Sequence, residues 1–273
     1  MTDSGDDAAR LLGVLESLGP VVVAFSGGVD SSLLAHAALD ALGADRVLAV
    51  TASSASLADG ELDHCRDLAD AWSMPWTSVD TSELQDPRYL RNDGDRCRWC
   101  KSALMDQLDP IAAARGATVV LGVNLDDLDD HRPGQREAAD RGARFPLVEA
   151  ELDKASIRSV ARARGLSVWD RPAMPCLSSR LPYGTEVSVG LLRRVDRAEA
   201  TLRGRGFGDL RVRHVGTTAR IEVPLAELPR LRTIEDEIAA ELRSFGFEHV
   251  EVDERGLRSG NLNEALAITV PSR

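Results

Sequence analysis

Short apolar runs alternate with helical patterns along the first two-thirds of the chain. Residues 21–25 form a continuously apolar run, which is typical of a strand buried on both faces of a parallel sheet. Strand patterns recur at residues 47–50, 76–79 and 118–121, and helical spacing of apolar residues covers 8–18, 57–72, 95–115 and 153–164. This alternation predicts an α/β domain with a doubly wound parallel sheet and helices on both of its faces.

The pattern changes near residue 185. A helix is predicted at 189–203, strands at 210–215 and 219–223, a second helix at 231–245 and a last strand at 249–252. This order predicts a smaller C-terminal α+β domain, so we expect one domain at 1–184 and another at 185–273. Between residues 124 and 144 the apolar pattern fails, which indicates either an ordered active-site loop or a mobile lid.

The charge and the apolar content of the chain argue against nucleic-acid and membrane partners. The 273 residues carry a formal net charge of −11, so the chain lacks the overall basic character of a nucleic-acid-binding protein. No apolar run approaches the roughly 20 residues that span a bilayer, and the N-terminus lacks a secretory pattern. We therefore expect a cytoplasmic protein without a membrane partner. Lys101 and Lys154 are the only lysines, a bias that a GC-rich genome would explain.

A glycine- and serine-rich loop follows the first predicted strand and opens a helix. Its sequence is Ser26-Gly27-Gly28-Val29-Asp30-Ser31-Ser32. The two glycines permit close backbone approach and positive φ, and the helix N-terminus directs free N–H groups at an anion. The serines add hydroxyl donors, and Asp30 offers the oxygen ligands that Mg²⁺ prefers. These features predict a phosphate site, but the chain has no Gly-Lys-Ser/Thr ending of a Walker A loop, so a kinase is not expected.

The four cysteines allow several kinds of chemistry. Cys97 and Cys100 stand three residues apart at a predicted helix start, and Cys176 lies in an extended, proline-flanked segment. A redox-active pair, a zinc site completed by His64 or Asp95, and a 4Fe–4S cluster on three thiolates all remain open. Cys65, within a helical pattern, is interpreted as a core residue.

Residues 26–32 resemble the PP-loop of the N-type ATP pyrophosphatases, whose fold is HUP-like. The resemblance implies that the loop binds the pyrophosphate leaving group of ATP while a substrate oxygen attacks the α-phosphorus. It also places Ala52, Ser53 and Ser54, at the end of the second predicted strand, beside the adenine.

Three further segments resemble the LarE family of ATP-dependent sulfur transferases, which act in nickel-pincer nucleotide cofactor synthesis. They are Asp95-Arg96-Cys97-Arg98-Trp99-Cys100-Lys101, the run from Pro175 to Thr185, and Arg211-Val212-Arg213, with a C-terminal match at residues 256–264. The resemblance implies adenylation of a carboxylate of pyridinium-3,5-dicarboxylate mononucleotide, followed by replacement of the activated oxygen with sulfur. AMP and pyrophosphate are released.

The family resemblance also implies two routes for the sulfur. In members with one cysteine, the residue matching Cys176 gives up its own sulfur and becomes dehydroalanine. Members with three cysteines are expected to hold a 4Fe–4S cluster that relays sulfide. Because this chain has Cys97, Cys100 and Cys176, we expect the cluster route, with Cys176 and Asp30 as catalytic residues and an unknown sulfur donor.

The substrate residues implied by the resemblance are mainly arginines. Arg180, Arg211 and Arg213 suit phosphate and carboxylate groups, and alternation along a strand would place Arg211 and Arg213 on one face with Val212 on the other. Trp99 is expected to stack on a ring and Glu199 matches a family site position. Asp126 or Asp127 is expected to orient Mg²⁺ or the ribose. The resemblance also implies a homo-oligomer.

Three other functions remain as alternatives. An iron–sulfur tRNA thiolase shares the cysteine pattern but would need clustered basic residues to bind RNA. An amide-forming PP-loop ligase would leave Cys97, Cys100 and Cys176 without a role. A non-catalytic nucleotide sensor would bind ATP without releasing pyrophosphate.

Overall fold

The computed structural model describes residues 4–128 and 133–258. The helices are α1 Ser4–Leu18, α2 Val29–Leu42, α3 Glu61–Ala71, α4 Pro87–Leu90, α5 Arg96–Arg115, α6 Pro133–Asp140, α7 Pro146–Glu149, α8 Lys154–Ala163, α9 Val189–Gly204, α10 Leu228–Thr233 and α11 Glu235–Ser244. The strands are β1 Val21–Ala24, β2 Val47–Ser53, β3 Trp76–Asp80, β4 Thr118–Leu121, β5 Arg211–Val215, β6 Thr218–Glu222 and β7 His249–Val252.

The chain divides into two compact units. The first contains the described residues up to Glu83 together with Cys97–Met174, and the second contains Leu84–Arg96 and the described residues from Pro175 onward. The functional boundary between residues 184 and 185 stays a prediction.

The first unit is built on a parallel sheet with the strand order β3-β2-β1-β4. In β1, Val21 pairs with Val47 on one side and Thr118 on the other. Val21 and Val23 belong to a core formed with α1, α2, α3 and α8, whereas Val22 belongs to a second core with α5 and α6. Helices therefore cover both faces of the sheet, which confirms the doubly wound α/β fold and explains why β1 is apolar throughout.

The second unit contains a three-stranded sheet with the order β5-β6-β7, antiparallel between β5 and β6 and parallel between β6 and β7. Leu202 of α9, Ile221 of β6 and Leu242 of α11 are fully buried in its core. This smaller C-terminal sheet with its helices agrees with the α+β pattern of the sequence.

Three local predictions differ from the structure. The helix expected from residue 57 begins at Glu61, and the helix expected at 231–245 is divided at Ile234 into α10 and α11. The segment from 124 to 144 contains a 3₁₀ turn at Leu125–Asp127 and the helix α6. Helix α6 has no apolar stripe, since only Gly134 and Ala138 are buried, so periodicity could not reveal it. Residues 129–132, and the predicted C-terminal motif beyond residue 258, lie outside the described residues.

None of the helices in the described ranges combines the length and apolar character that a membrane-spanning helix needs.

Candidate functional site

The predicted phosphate loop lies at the carboxyl end of β1. Strand β1 ends at Ala24 and α2 begins at Val29, and β1 stands between β2 and β4 in the sheet. Helix α2, which follows β1, packs on one face of the sheet, and helix α5, which precedes β4, packs on the other. The strand order also reverses between β1 and β4, so this edge is a topological switch point. Ligands of open parallel sheets bind at such a point.

Gly27 and Gly28 serve different purposes. Gly27 has a φ of 69°, and a Cβ on it would lie 2.8 Å from Cδ2 of His64 and 3.0 Å from Sγ of Cys65. Position 27 therefore requires glycine for both its backbone conformation and its surroundings. Gly28 has a φ of −77° and is the N-cap of α2, so the expected positive φ holds for Gly27 alone.

The serines of the loop shape it from within. Ser31 Oγ donates to the carbonyl of Gly28 at 3.1 Å, accepts from the N–H of Ser26 at 3.2 Å, and lies 3.1 Å from Ser26 Oγ. Ser32 is fully buried, and its hydroxyl finds no hydrogen-bond partner among the described residues. The bonds of Ser31 to Ser26 and Gly28 close the phosphate loop on itself, and the first turn of α2 also contains the buried hydroxyl of Ser32.

Asp30 joins three elements at this edge. Its Oδ1 accepts from Nδ2 of Asn124 at 3.1 Å, and its Oδ2 forms an ion pair with Nζ of Lys154 at the start of α8. Sequence reasoning missed Lys154, although its rarity as one of two lysines was a usable signal. The carboxylate expected to bind Mg²⁺ therefore has a cationic neighbour in the first unit.

The approach of β4 to the loop depends on Gly122. A Cβ at this position would lie 2.8 Å from the backbone nitrogen of Ser31 and 3.1 Å from the carbonyl carbon of Asp30. Distances under about 3.0 Å are not tolerated between a Cβ and backbone. Gly122 thus allows the segment after β4 to reach the first turn of α2.

Asn124, Asp126 and Asp127 maintain the turn after β4. The side chain of Asn124 accepts from the N–H of Asp127 at 3.3 Å, and that of Asp127 accepts from the N–H of Asn124 at 3.2 Å. Asp126 accepts from the backbone N–H of Lys154 at 3.0 Å. These bonds position Asn124 and Lys154 for Asp30, while a role of either aspartate with Mg²⁺ or ribose stays a prediction.

Two side chains that the sequence did not assign to the loop contact the carbonyl oxygen of Gly27. Nη1 of Arg171 donates to it at 3.1 Å, and Nε2 of His64 lies 3.3 Å from it. Nη2 of Arg171 donates to Glu61 at 2.7 Å. Burial, and then the charge of Arg171, lower the pKa of His64, and the bond to Gly27 opposes this shift. Cys65 is a buried core residue, as expected, and burial raises its pKa to about 11.

The end of β2, where the adenine is expected, is held by a serine–glutamate chain. Ser53 ends the strand and its carbonyl accepts from the N–H of Thr81 at 3.1 Å. Ser54 Oγ lies 2.7 Å from Ser56 Oγ, which donates to Glu83 at 2.9 Å. The contact of Ser53 with adenine stays a prediction.

Cys97 and Cys100 lie together in the first turns of α5, with Cys97 exposed and Cys100 half-buried. Helix α6 approaches them closely, because a Cβ on Gly134 would lie 2.7 Å from the carbonyl oxygen of Cys97. Within the described part of the chain, no group of three or more His, Cys, Asp and Glu side chains is placed to hold a metal ion.

Residues 98 to 101 surround the two thiols. Nε of Arg98 donates to Glu137 of α6 at 2.9 Å, and its guanidinium carbon lies 5.1 Å from the ring centroid of Trp99. Burial lowers the pKa of Lys101, and the neighbouring thiols of Cys100 and Cys97 oppose this shift. The stacking of Trp99 on a ligand ring stays a prediction.

In the second unit, Arg180 holds the backbone around Cys176. The guanidinium is fully buried, donates to both oxygens of Glu199 at 2.7 and 3.0 Å, and donates to the carbonyls of Pro175 at 2.6 Å and Cys176 at 3.2 Å. Glu199 also accepts from Arg203 at 2.6 Å and from the N–H of Val212 at 3.1 Å. These contacts give Arg180 and Glu199 a supporting role, and their contact with substrate stays a prediction.

Arg211 and Arg213 lie on the face of β5 opposite Val212, which is fully buried in the core. Arg213 donates to Glu222 at 2.6 Å and to the carbonyl of Ser179 at 3.1 Å. Burial lowers the pKa of Arg211, as does the charge of Arg180. Cys176, Arg180, Arg211 and Arg213 thus belong to one unit, whereas Cys97, Cys100 and the phosphate loop belong to the other.

The segment Leu84–Arg96 supports the same part of the second unit. The hydroxyls of Tyr89 and Ser178 lie 2.6 Å apart, and Arg96 donates to the carbonyl of Ser178 at 2.7 Å. Asn92 donates to the carbonyls of Pro182 and Thr185, both at 2.8 Å. No local sequence signal identified these residues, because their partners lie about 90 positions away.

Comparisons with known proteins agree with this geometry. The NAD synthase family model matches residues 16–88, which include the phosphate loop. An uncharacterised protein of Synechocystis sp. is 43% identical over 90% of this chain and 92% of its own length. The pyridinium-3,5-bisthiocarboxylic acid mononucleotide synthase of Lactiplantibacillus plantarum is 38% identical over 94% of both chains. On this similarity and the phosphate-loop fold, the chain belongs to the LarE family of ATP-dependent sulfur transferases.

Proposed function

We propose that this protein adenylates a carboxylate of pyridinium-3,5-dicarboxylate mononucleotide with ATP and then converts that carboxylate to a thiocarboxylate. The observation that carries the proposal is the closed loop at Gly27, set beside Asp30, Asn124 and Lys154 at the switch point of the sheet. The Lactiplantibacillus relative is named for a bisthiocarboxylic acid mononucleotide product, and this name supports a pyridinium mononucleotide with carboxylates as the substrate class.

The phosphate loop suits the pyrophosphate part of ATP. The N-terminus of α2 offers N–H groups and a positive dipole end, which favour an anion. Asp30 would hold Mg²⁺ through a carboxylate oxygen, and phosphate oxygens and water would complete its coordination, as is usual for this ion. Mg²⁺, when bound, neutralises phosphate charge, and Lys154 adds a positive charge at the same edge.

Two displacements account for the chemistry. A substrate carboxylate oxygen attacks the α-phosphorus, the bond to the bridging oxygen breaks, and pyrophosphate leaves with the electron pair. A sulfur nucleophile then attacks the acyl carbon, and AMP leaves with the former carboxylate oxygen. Adenylation is required because an oxide is a poor leaving group, whereas AMP is a good one.

The sulfur would reach the adenylate through the cysteines. We propose that Cys97, Cys100 and Cys176 hold a 4Fe–4S cluster, which when bound offers one open iron for an additional sulfide. The placement of Cys97 and Cys100 in neighbouring turns of α5 suits two ligands of one cluster. An anaerobic assay of iron and acid-labile sulfide tests this, with loss of both expected in Cys176→Ala. A metal-free protein whose Cys176 becomes dehydroalanine would replace the cluster with a sacrificial cysteine.

Substrate recognition is proposed to rest on the arginines of β5. Arg211 and Arg213 would bind the phosphate and the second carboxylate through their planar guanidinium groups. Arg180 and Glu199 would hold the segment of Cys176 as well as face the substrate, and Trp99 would stack on its ring. The net charge of −11 favours a small-molecule substrate over RNA, and the family resemblance favours a homo-oligomer.

The adenylation step is tested by pyrophosphate release from ATP in the presence and absence of the dicarboxylate mononucleotide. We expect release to require the mononucleotide and to fall at least about a hundredfold in Asp30→Asn, because a metal-binding carboxylate is lost. Asp63→Asn, an exposed aspartate of α3, is the matched control. The proposal would be contradicted by pyrophosphate release at the same rate with and without the mononucleotide, or by an equal fall in that rate in both variants.

A further inference from the structure

Arg171 belongs to no motif of the phosphate loop, yet it contacts the loop directly. It follows α8 in the chain and donates through Nη1 to the carbonyl of Gly27 at 3.1 Å. The side chain is only 22% exposed, and its second nitrogen is held by Glu61, which is 12% exposed. A guanidinium with two fixed partners has little freedom to turn elsewhere.

The same carbonyl meets the first turn of α3. Nε2 of His64 lies 3.3 Å from it, and the ring of His64 fills the space where a Cβ of residue 27 would stand. Glu61, which holds Arg171, belongs to the same turn. Two side chains from different parts of the first unit, Arg171 as a donor and His64 at 3.3 Å, therefore converge on one backbone oxygen.

The backbone of Arg171 is itself fixed. Arg158 of α8 donates to the carbonyl of Trp169 at 2.9 Å and to that of Arg171 at 3.1 Å. The guanidinium of Arg171 therefore extends from a stretch of chain that is anchored to a helix. This arrangement is suited to hold an atom of the loop at a constant position.

The orientation of one carbonyl determines the orientation of the next N–H. A peptide bond is planar and trans, so the N–H of Gly28 points opposite to the carbonyl of Gly27. We propose that Arg171, supported by Glu61 and His64, is a positioning residue that locks this peptide so that the N–H of Gly28 is directed into the pyrophosphate site. The proposal rests on pyrophosphate binding at the phosphate loop, which is part of the proposed function.

Binding of magnesium pyrophosphate and of adenosine to the full-length protein tests this role by titration calorimetry. Arg171→Gln is expected to weaken pyrophosphate binding by about tenfold, the effect of a lost charged hydrogen bond. Adenosine has no phosphate, so its affinity is expected to stay within about twofold. Arg171→Lys can reach one partner only and should fall between the wild type and Arg171→Gln. Arg66→Gln, an exposed ion-paired arginine of α3, is the matched control.

A second variant covers the case in which Arg171→Gln does not fold. Glu61→Gln keeps the shape of the side chain but loosens Arg171, so it should weaken pyrophosphate binding in the same direction and by less. Pyrophosphate affinity unchanged in a folded Arg171→Gln or in Glu61→Gln, or an equal loss of adenosine binding, would overturn the proposal. Neither measurement needs sulfur transfer, so a protein that binds pyrophosphate through Arg171 but forms no thiocarboxylate would refute the proposed function alone.

Discussion

Single glycines determine how closely the backbone segments of the phosphate site approach one another. Gly122→Ala would place a Cβ 2.8 Å from the backbone nitrogen of Ser31, where neither atom can move without displacing the start of α2. We expect unfolding free energy to fall by about 1–3 kcal/mol, as for other overpacked sites, together with weaker pyrophosphate binding. Chemical denaturation and calorimetry would measure the two effects.

Gly13→Ala in α1 is the matched control for that change, because its new Cβ would meet no atom within 4 Å. Alanine favours a helix over glycine by about 1 kcal/mol, so this variant should be slightly more stable than the wild type. A Gly122→Ala protein as stable as the wild type, with unchanged pyrophosphate affinity, would show that the close approach is not needed.

The ion pair between Asp30 and Lys154 is expected to act as a unit in the reaction. Lys154→Met should lower the rate of pyrophosphate release by at least about tenfold, because the carboxylate and the leaving group both lose a cationic neighbour. Lys154→Arg should retain part of the rate. In a double-mutant cycle, Asp30→Asn combined with Lys154→Met should lose less than the sum of the two single effects. Simple addition of the two losses would indicate that the residues act independently.

Among elements, the segment Leu84–Arg96 shows how a short stretch can support a distant loop. Asn92 is fully buried, has a φ of 51°, donates to the carbonyls of Pro182 and Thr185, and accepts from Arg96 at 2.6 Å. Asn92→Ala should therefore lower the unfolding free energy by about 3 kcal/mol, the sum of several lost buried hydrogen bonds. Urea denaturation measures this change.

Asn92→Gly separates the two contributions at that position. Glycine adopts positive φ without strain but supplies no side chain, so the two variants should differ by about 1 kcal/mol in favour of glycine. A loss below about 0.5 kcal/mol in both variants, the usual range for surface changes, would contradict the support assigned to this segment.

The elements that the sequence predicted well are those whose own residues specify them. Strand β1 is apolar throughout because both of its faces are covered. The phosphate loop could be identified because its glycines and serines lie within seven consecutive positions. Helix α6 was missed, since its buried residues are only a glycine and an alanine. Arg171 could not be assigned, because its partner Gly27 lies 144 positions away. The rarity of lysine could have drawn attention to Lys154, but its partner Asp30, 124 positions away, could not be read from the sequence.

At the scale of the whole molecule, three histidines link stability to pH. Burial lowers the pKa of His36, His64 and His214. The unfolded chain takes up these protons near pH 6.5, whereas the folded protein takes them up only at lower pH. The contribution of these histidines to the unfolding free energy is therefore fully present above about pH 6.5 and is lost as the pH falls below it, because the unfolded state then binds more protons.

Urea midpoints at pH 7.5 and pH 5.5 would measure this dependence. The midpoint should be lower at pH 5.5, and His214→Gln should reduce the difference, since His214 is buried against Arg194 and Phe247. Asp86 and Asp253 do not contribute to the difference between pH 7.5 and pH 5.5, because neighbouring arginines lower their pKa values and both groups titrate in more acidic solution. Equal midpoints at the two pH values would contradict the assignment.

In the proposed reaction, ATP-dependent adenylation leads to sulfur transfer onto the pyridinium dicarboxylate mononucleotide. The most direct measurement is mass spectrometry of that substrate after anaerobic incubation with the protein, Mg²⁺, ATP and a sulfide source, with AMP quantified in the same sample. We expect a product in which sulfur replaces one carboxylate oxygen, formed with one AMP per sulfur and absent with Cys176→Ala. AMP formation with an unchanged substrate mass, or sulfur incorporation without ATP, would contradict this mechanism.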